Sequence, residues 1–284
     1  MTDLRVVALI LSFLVVLIGT LHSVKNHTYL DTSNPLLTAL PHPLHKTHYF
    51  ASKSNPLNTV FIKRAWGWTS AVFILHIFTS PPRTHRARRT IQYLLATFTW
   101  LAFTTWFFGP ALIDRFIVVS GGECVLHLPG PDGAYVPVDQ EYCFTHARLS
   151  PSTHPDLFPP VPNASALLEK WAGVPRLRRG HDVSGHVFLL TLSTLFLADQ
   201  VRASFRARTA WSQAHLLGVV FSVSLIMLWL FANWTTSVYY HSPVEKVSGF
   251  LLGVLGFAAS QAPLLLFPEA VSSPAPIAAK LHQS

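Results

Sequence analysis

The chain reads as an all-α, polytopic membrane protein with six transmembrane helices and a long lumenal loop between the third and the fourth. Three observations carry that reading. Half of its 284 residues are hydrophobic and only 12% are charged, well below the charge content of a soluble domain. Six apolar blocks fall in the range of about 17 to 25 residues that crosses a hydrocarbon core. The basic residues behind the formal charge of +8 gather in short clusters beside those blocks, where they orient spans and meet anionic headgroups. No basic stripe interleaved with aromatics runs along the chain, so nucleic acid is excluded as a partner.

The first span, 4–22, is aliphatic with Arg5 in front. Thr20-Leu-His-Ser-Val24 makes a poor cleavage site, so a retained anchor is expected rather than a signal peptide. Residues 25–58 hold Pro35, Pro41, Pro43 and Pro56 and read as an irregular loop. The second span, 60–79, opens on Phe61-Ile-Lys63-Arg-Ala-Trp66-Gly-Trp68-Thr69 and ends in a connection carrying Arg83, Arg86, Arg88 and Arg89. Trp66 and Trp68 read as aromatics of the membrane interface. The third span, 91–108, is closed by Pro110.

The lumenal loop, 111–180, contains both cysteines, Cys124 and Cys143, and they suit one disulfide if the loop faces an oxidising compartment. The fourth span, 185–201, is followed by Arg202, Arg206 and Arg208. The fifth, 216–232, and the sixth, 247–267, complete a single transmembrane domain, with a tail at 268–284. Gly249, Gly253 and Gly256 give the last span a face for close helix packing.

Positive charge near span ends stays cytoplasmic, and loops beyond about 60 residues escape the rule. The arginines of 81–89 and 202–208 therefore place both termini in the cytoplasm. The long loop and the start of the fourth span then fall on the lumenal side, as do the sequons at Asn26, Asn163 and Asn233. Sequons are weak support, and Asn233 stands close to the bilayer.

Chemistry concentrates in Gly180-His181-Asp182-Val183-Ser184-Gly185-His186, at the mouth of the fourth span, and in Tyr239-Tyr240-His241-Ser242-Pro243 after the fifth. The two spans form an antiparallel pair, so His186 and His241 return to one membrane face. Two imidazoles there suit phosphoryl transfer, one attacking phosphorus and the other protonating the leaving oxygen. Asp182 would fix a tautomer. Lys63, Arg176, Arg178 and Arg179 stand on the side where phosphoryl oxygens need cations, although lipid headgroups would also occupy those arginines. His181 reads equally as an interfacial residue, and Glu245 and Lys246 as a structural ion pair or lip residues. His181 and His186 are five apart, one too many to share a helical face as zinc ligands, and no His-Glu-x-x-His occurs. No metal and no cofactor are expected. Ser184 lacks the strand-turn-helix setting of a nucleophile elbow.

The segments 61–69, 180–190 and Tyr240-His241-Ser-Pro-Val-Glu-Lys-Val-Ser-Gly249 together resemble the fat storage-inducing transmembrane protein family, over most of the chain. That family is similar to the lipid phosphate phosphatases, whose second motif carries Ser-Gly-His and whose third carries a nucleophilic histidine. The resemblance implies His186 as general acid and His241 as the nucleophile forming a phosphohistidine. It also implies an endoplasmic-reticulum membrane protein that cleaves the diphosphate of fatty acyl-coenzyme A to acyl 4'-phosphopantetheine and adenosine 3',5'-bisphosphate. Neutral lipids and bilayer phospholipids are further partners it implies, with a role in lipid droplet biogenesis and phospholipid homeostasis. The phosphatases' lysine-and-Arg-Pro first motif is absent, which leaves Lys63 as the candidate in its place, with His181, Asp182 and Ser184 beside the histidines. The alternative is a non-enzymatic protein that binds and partitions diacylglycerol and triacylglycerol.

Overall fold

A computed structural model describes residues 3–30, 40–81, 86–105, 110–128, 134–158, 171–207 and 210–262. Pro35, Arg83, Asn163, Arg208, the ends of the third and sixth expected spans at 106–108 and 263–267, and the tail at 268–284 lie outside the described residues.

Among the described residues six long helices form the bundle: α1 (Leu4–Asn26), α2 (Ala65–Thr79), α3 (Arg86–Thr104), α6 (Gly185–Arg206), α7 (Gln213–Tyr239) and α8 (Pro243–Ser260). Between α3 and α6 come α4 (Leu112–Val119), strands β1 (Glu123–His127) and β2 (Tyr135–Pro137), α5 (Gln140–Phe144) and β3 (Arg176–Arg178). Local chemistry sets the ends. Asp3, Ser184 and Ser212 cap α1, α6 and α7, each accepting a main-chain N–H of the first turn that would otherwise have no partner. Pro243 opens α8, where Glu245 accepts the Ser242 N–H at 2.8 Å.

The bundle is organised around α6. α1, α2, α3, α7 and α8 all pack on it, and from Val187 to Val201 its side chains are buried without a break. Among the described residues α1, α6 and α7 are long and apolar enough to cross a membrane, and α6 is the least hydropathic of the three. Burial explains the inversion. A helix sheathed by protein can carry Thr191, Ser193, Thr194, Asp199 and Gln200, all buried, whereas helices facing lipid must be apolar outside. The outer helices show such faces: Ile10, Phe13, Leu17 and Leu21 on α1, Leu94, Phe98 and Leu101 on α3, Leu217, Val220 and Met227 on α7, and Val247, Leu251 and Leu255 on α8 are exposed.

Aromatic packing fills the space between α2, α3 and α6. Phe73 stacks on Tyr93 with centroids 4.7 Å apart, and Phe103 meets Phe188 at 4.4 Å, contacts that add about 0.5–1.5 kcal/mol each beyond burial. Trp66 belongs to this core. It is buried, stacks on Tyr93 and donates to Thr97 Oγ1 at 3.2 Å, so it is not an interfacial aromatic, whereas Trp68 is exposed. The glycines of α8 let it close on α6. A Cβ on Gly249 would stand 2.5 Å from the Ser184 carbonyl oxygen, and one on Gly253 would stand 2.7 Å from Thr191 Cβ.

Two features depart from a purely helical reading. The 111–180 segment builds an antiparallel sheet of order β2-β1-β3, with Val125 opposite Pro137 on one side and Arg176 on the other. The Cys124–Cys143 disulfide joins β1 to α5. The second helix also begins later than residue 60: Leu57–Phe61 is a π turn and Ile62–Arg64 a 3-10 turn before α2 starts.

Asn233 is fully buried within α7, which removes it as a glycosylation acceptor in the folded chain. At the end of α6 opposite Ser184, Asp199 pairs with Arg202 at 2.7 Å and Gln200 accepts from buried Arg89 at 2.7 Å. Fourteen residues of helix from His186 to Gln200 make this end about 21 Å from the first.

Candidate active site

His186 is the second residue of α6, one step inside the Ser184 cap. His241 is the middle residue of the three-residue break between α7 and α8. Its φ of 61° is left-handed, a conformation that costs a β-carbon-bearing residue about 1–3 kcal/mol and gathers at functional sites. Both histidines line one cavity of about 220 Å³, together with Lys63. His186 lies within electrostatic reach of His241 and of Lys63. A pair brought together from spans 55 positions apart, with an ammonium group beside them, has the composition needed to receive an anionic phosphorus centre.

His241 has a carboxylate behind it. Its Nδ1 makes no hydrogen bond in this geometry and stands 3.4 Å from Glu245 Oε2. Catalytic hydrogen bonds are often long before substrate binds. The approach favours a proton on Nδ1 and leaves Nε2 as the lone-pair nitrogen. The same Glu245 oxygen fixes the start of α8 through Ser242 N. Lys246 is buried, donates to Ser23 Oγ at 2.8 Å and lies within electrostatic reach of Glu245.

Asp182 stands outside the cavity lining, near His241, His181, Glu245 and Asp114. Burial pushes its carboxyl up to about 6, partly opposed by His241. His181 turns away, its Nε2 within 2.8 Å of Ser248 Oγ and its main-chain N–H on Ser120 Oγ. Ser184 is a buried helix cap whose N–H donates to the Glu245 carbonyl at 3.1 Å. That bond ties the His186 end of α6 to the His241 end of α8.

The three arginines separate. Arg178 lies 4.2 Å over the Tyr135 ring, and Arg179 pairs with Glu123 at 3.3 Å, so both are engaged within the sheet. Arg176, the exposed first residue of β3, acts electrostatically on Lys53 at the cavity. Among the described residues no cluster of three or more potential metal ligands occurs.

Sequence reasoning missed the wall opposite the histidines. Phe50, Lys53, Asn55, Leu57 and Asn58, from the stretch 25–58 read as loop because of its prolines, line the cavity with Ile62, which fell in the expected second span. It is held rigidly. Tyr240 Oη donates to the Ala51 carbonyl at 2.8 Å, Leu30 N to Tyr239 O at 3.1 Å, and His42 Nε2 meets Tyr239 O at 2.9 Å. The available signal was the run Lys53-Ser-Asn55-Pro-Leu-Asn58 directly before Lys63, and a π turn there is a feature frequent at functional sites.

Fold and site together define a helical-bundle membrane protein with a histidine pair and a lysine in a cavity at one end. The chain belongs to the family described as Fat storage-inducing transmembrane protein, which matches residues 46–216 and 202–260 and so takes in Lys63, His186, His241 and Glu245. It is 32% identical to acyl-coenzyme A diphosphatase fit1 of Schizosaccharomyces pombe over 209 residues, covering 74% of this chain and 71% of that one. It is 26% identical to acyl-coenzyme A diphosphatase FITM2 of Danio rerio over 214 residues, with 74% and 71% covered. To the protein of that name in Homo sapiens it is 24% identical over 221 residues, with 74% and 70% covered. No solved structure matches.

Proposed function

We propose that this protein is a fatty acyl-coenzyme A diphosphatase of the endoplasmic-reticulum membrane, with six spans, both termini cytoplasmic and the cavity lumenal. The observation that carries the proposal is the meeting of His186, His241 and Lys63 in one cavity. Relatives named acyl-coenzyme A diphosphatase supply the substrate class. Exposed apolar faces on the outer helices support the spans. Arg86, Arg89, Arg202 and Arg206, at the bundle end away from the cavity, support the orientation.

The geometry supports the following reaction. His241 Nε2 attacks one phosphorus of the diphosphate as the bond from that phosphorus to the bridging oxygen breaks. The second phosphate departs with that oxygen and takes a proton from His186, which must therefore enter the step protonated. Glu245 stabilises the positive charge that develops on His241, and Lys63, with Arg176 within electrostatic reach of the cavity residue Lys53, offsets charge on the phosphoryl oxygens. Water then cleaves the phosphohistidine, its proton passing to the now neutral His186. The products are acyl 4'-phosphopantetheine and adenosine 3',5'-bisphosphate. Removal of acyl-coenzyme A at the membrane would support phospholipid homeostasis and lipid droplet biogenesis.

Purified His241→Ala, reconstituted in vesicles, is expected to lose hydrolysis of oleoyl-coenzyme A by at least about 10³-fold while its melting profile is kept. His186→Ala should follow, with more residual rate because a phosphate leaving group needs its proton less. Parental rates in both variants would overturn the assignment.

A second reading, neutral-lipid binding, is favoured by one observation: another cavity of about 220 Å³ between α1, α6 and α8, lined by Leu9, Leu195, Val254 and Phe257. The two activities are compatible.

A further inference from the structure

An acyl substrate must keep its chain in lipid while its diphosphate reaches the histidines, so the cavity needs an apolar exit through the bundle wall. The apolar residues that line it among the described residues are Leu30, Phe50, Leu57 and Ile62. Leu30, Leu57 and Ile62 are buried, and Phe50 is the one of the four that is partly exposed. Its ring meets that of Phe231 edge to face, with centroids 5.2 Å apart and planes at 83°. Phe231 is 43% exposed and continues the outer apolar stripe of α7 formed by Leu217, Val220 and Met227. The cavity, Phe50, Phe231 and the lipid-facing surface are thus one contiguous apolar path.

From this we infer that the Phe50–Phe231 pair is the lateral portal through which the acyl chain of the substrate passes from the bilayer to the cavity, with the chain lying along α7. The inference rests on the acyl-coenzyme A reading above. A hinged portal is not required. An edge-to-face pair that spans two elements can part by rotamer changes while both main chains stay in place, Phe231 within α7 and Phe50 through its carbonyl, which lies 3.4 Å from Tyr240 Oη. The second cavity, beside Arg5 and Leu9, is the competing place for the chain. It is reached from α1 and α8 instead, which makes the two assignments separable.

The test uses the full chain in phosphatidylcholine vesicles. The ratio of kcat/KM for oleoyl-coenzyme A to that for hexanoyl-coenzyme A is measured for the parent, Phe231→Ala, Phe50→Leu and, as a control on the exposed apolar face of α3, Phe98→Ala. The portal variants should lower the ratio about tenfold, as expected when a methylene or two of chain contact is lost, and the control should leave it unchanged. Equal loss on both substrates would assign the pair to packing alone, and an unmoved ratio would likewise overturn the portal. A second measurement does not need turnover: oleoyl-length acyl-coenzyme A with a mid-chain diazirine should label 49–62 and 227–235 on irradiation. Labelling confined to α1 and α8, or no saturable labelling, would overturn the inference. A parent that is labelled at the portal yet hydrolyses neither substrate would sink the enzymatic reading and leave the portal standing.

Discussion

Glu245 serves two partners, the imidazole of His241 at 3.4 Å and the N–H of Ser242, the cap of α8, at 2.8 Å, and chemistry can part them. Glutamine at the third helical position still accepts the capping hydrogen bond but carries no charge to stabilise an imidazolium. Glu245→Gln should therefore keep α8 and its melting temperature while losing about 10²–10⁴-fold in kcat, read by circular dichroism and product release. Asp182 predicts a pH effect on stability. Its carboxyl sits at about 6 instead of 3.8 in the folded chain. Between those values the folded state holds more protons than the unfolded one, so stability falls as pH rises from about 4 to 6. Asp182→Asn should flatten that slope in denaturation curves run across the interval. The histidine pair was legible in sequence because span order alone folds positions 186 and 241 onto one face. The carboxylate at position 245 was read as structural, since its turn toward His241 depends on a left-handed residue that no pattern announces. Arg178 and Arg179 looked like phosphate ligands by charge, and it took the pairing of β1 with β3 to show Tyr135 and Glu123 as their partners.

The contact of α8 with α6 couples packing to chemistry, because Ser184 N bonds the Glu245 carbonyl within a few residues of both histidines. Gly249→Ala would push a methyl to 2.5 Å from the Ser184 oxygen. A cost of about 1–3 kcal/mol follows from such overpacking, visible as a lower melting temperature in detergent and accompanied by reduced turnover. The glycine face of this helix was legible in advance; its partner was not, because spacing shows a small-residue stripe and not what it meets. In the 111–180 segment, the disulfide closes a separation of 19 residues and should contribute about 3 kcal/mol to the order of the sheet. Alkylation of the native chain should leave Cys124 and Cys143 unlabelled until a reductant is added, and the Cys124→Ser, Cys143→Ser double variant should gain protease sensitivity between residues 120 and 180. The strands themselves escaped sequence reading. They are three to five residues long, lie among prolines and show little alternation.

Across the bundle, the histidine cavity and the arginine-rich polar cluster occupy opposite ends of α6. Single-cysteine scanning in sealed microsomes is expected to label position 63 only from the lumen and position 206 only from the cytosol, and the reverse pattern would refute the proposed orientation. The order of the long helices was readable from the apolar runs, and among the described residues α1, α6 and α7 are the helices long and apolar enough to cross a membrane. The central one was readable from its own apolar run, although enclosure by five neighbours lets it carry more polar residues than α1 or α7. That enclosure bears on biogenesis. An inserting machine that samples segments one at a time receives, in α6, a stretch with Asp199, Gln200 and Arg202 at its end that partitions poorly into hydrocarbon by itself. Insertion of the helix that delivers His186 is therefore expected to depend on its neighbours more than that of α1 or α7, the two more hydropathic helices, a difference that membrane-insertion assays of each helix in isolation would show.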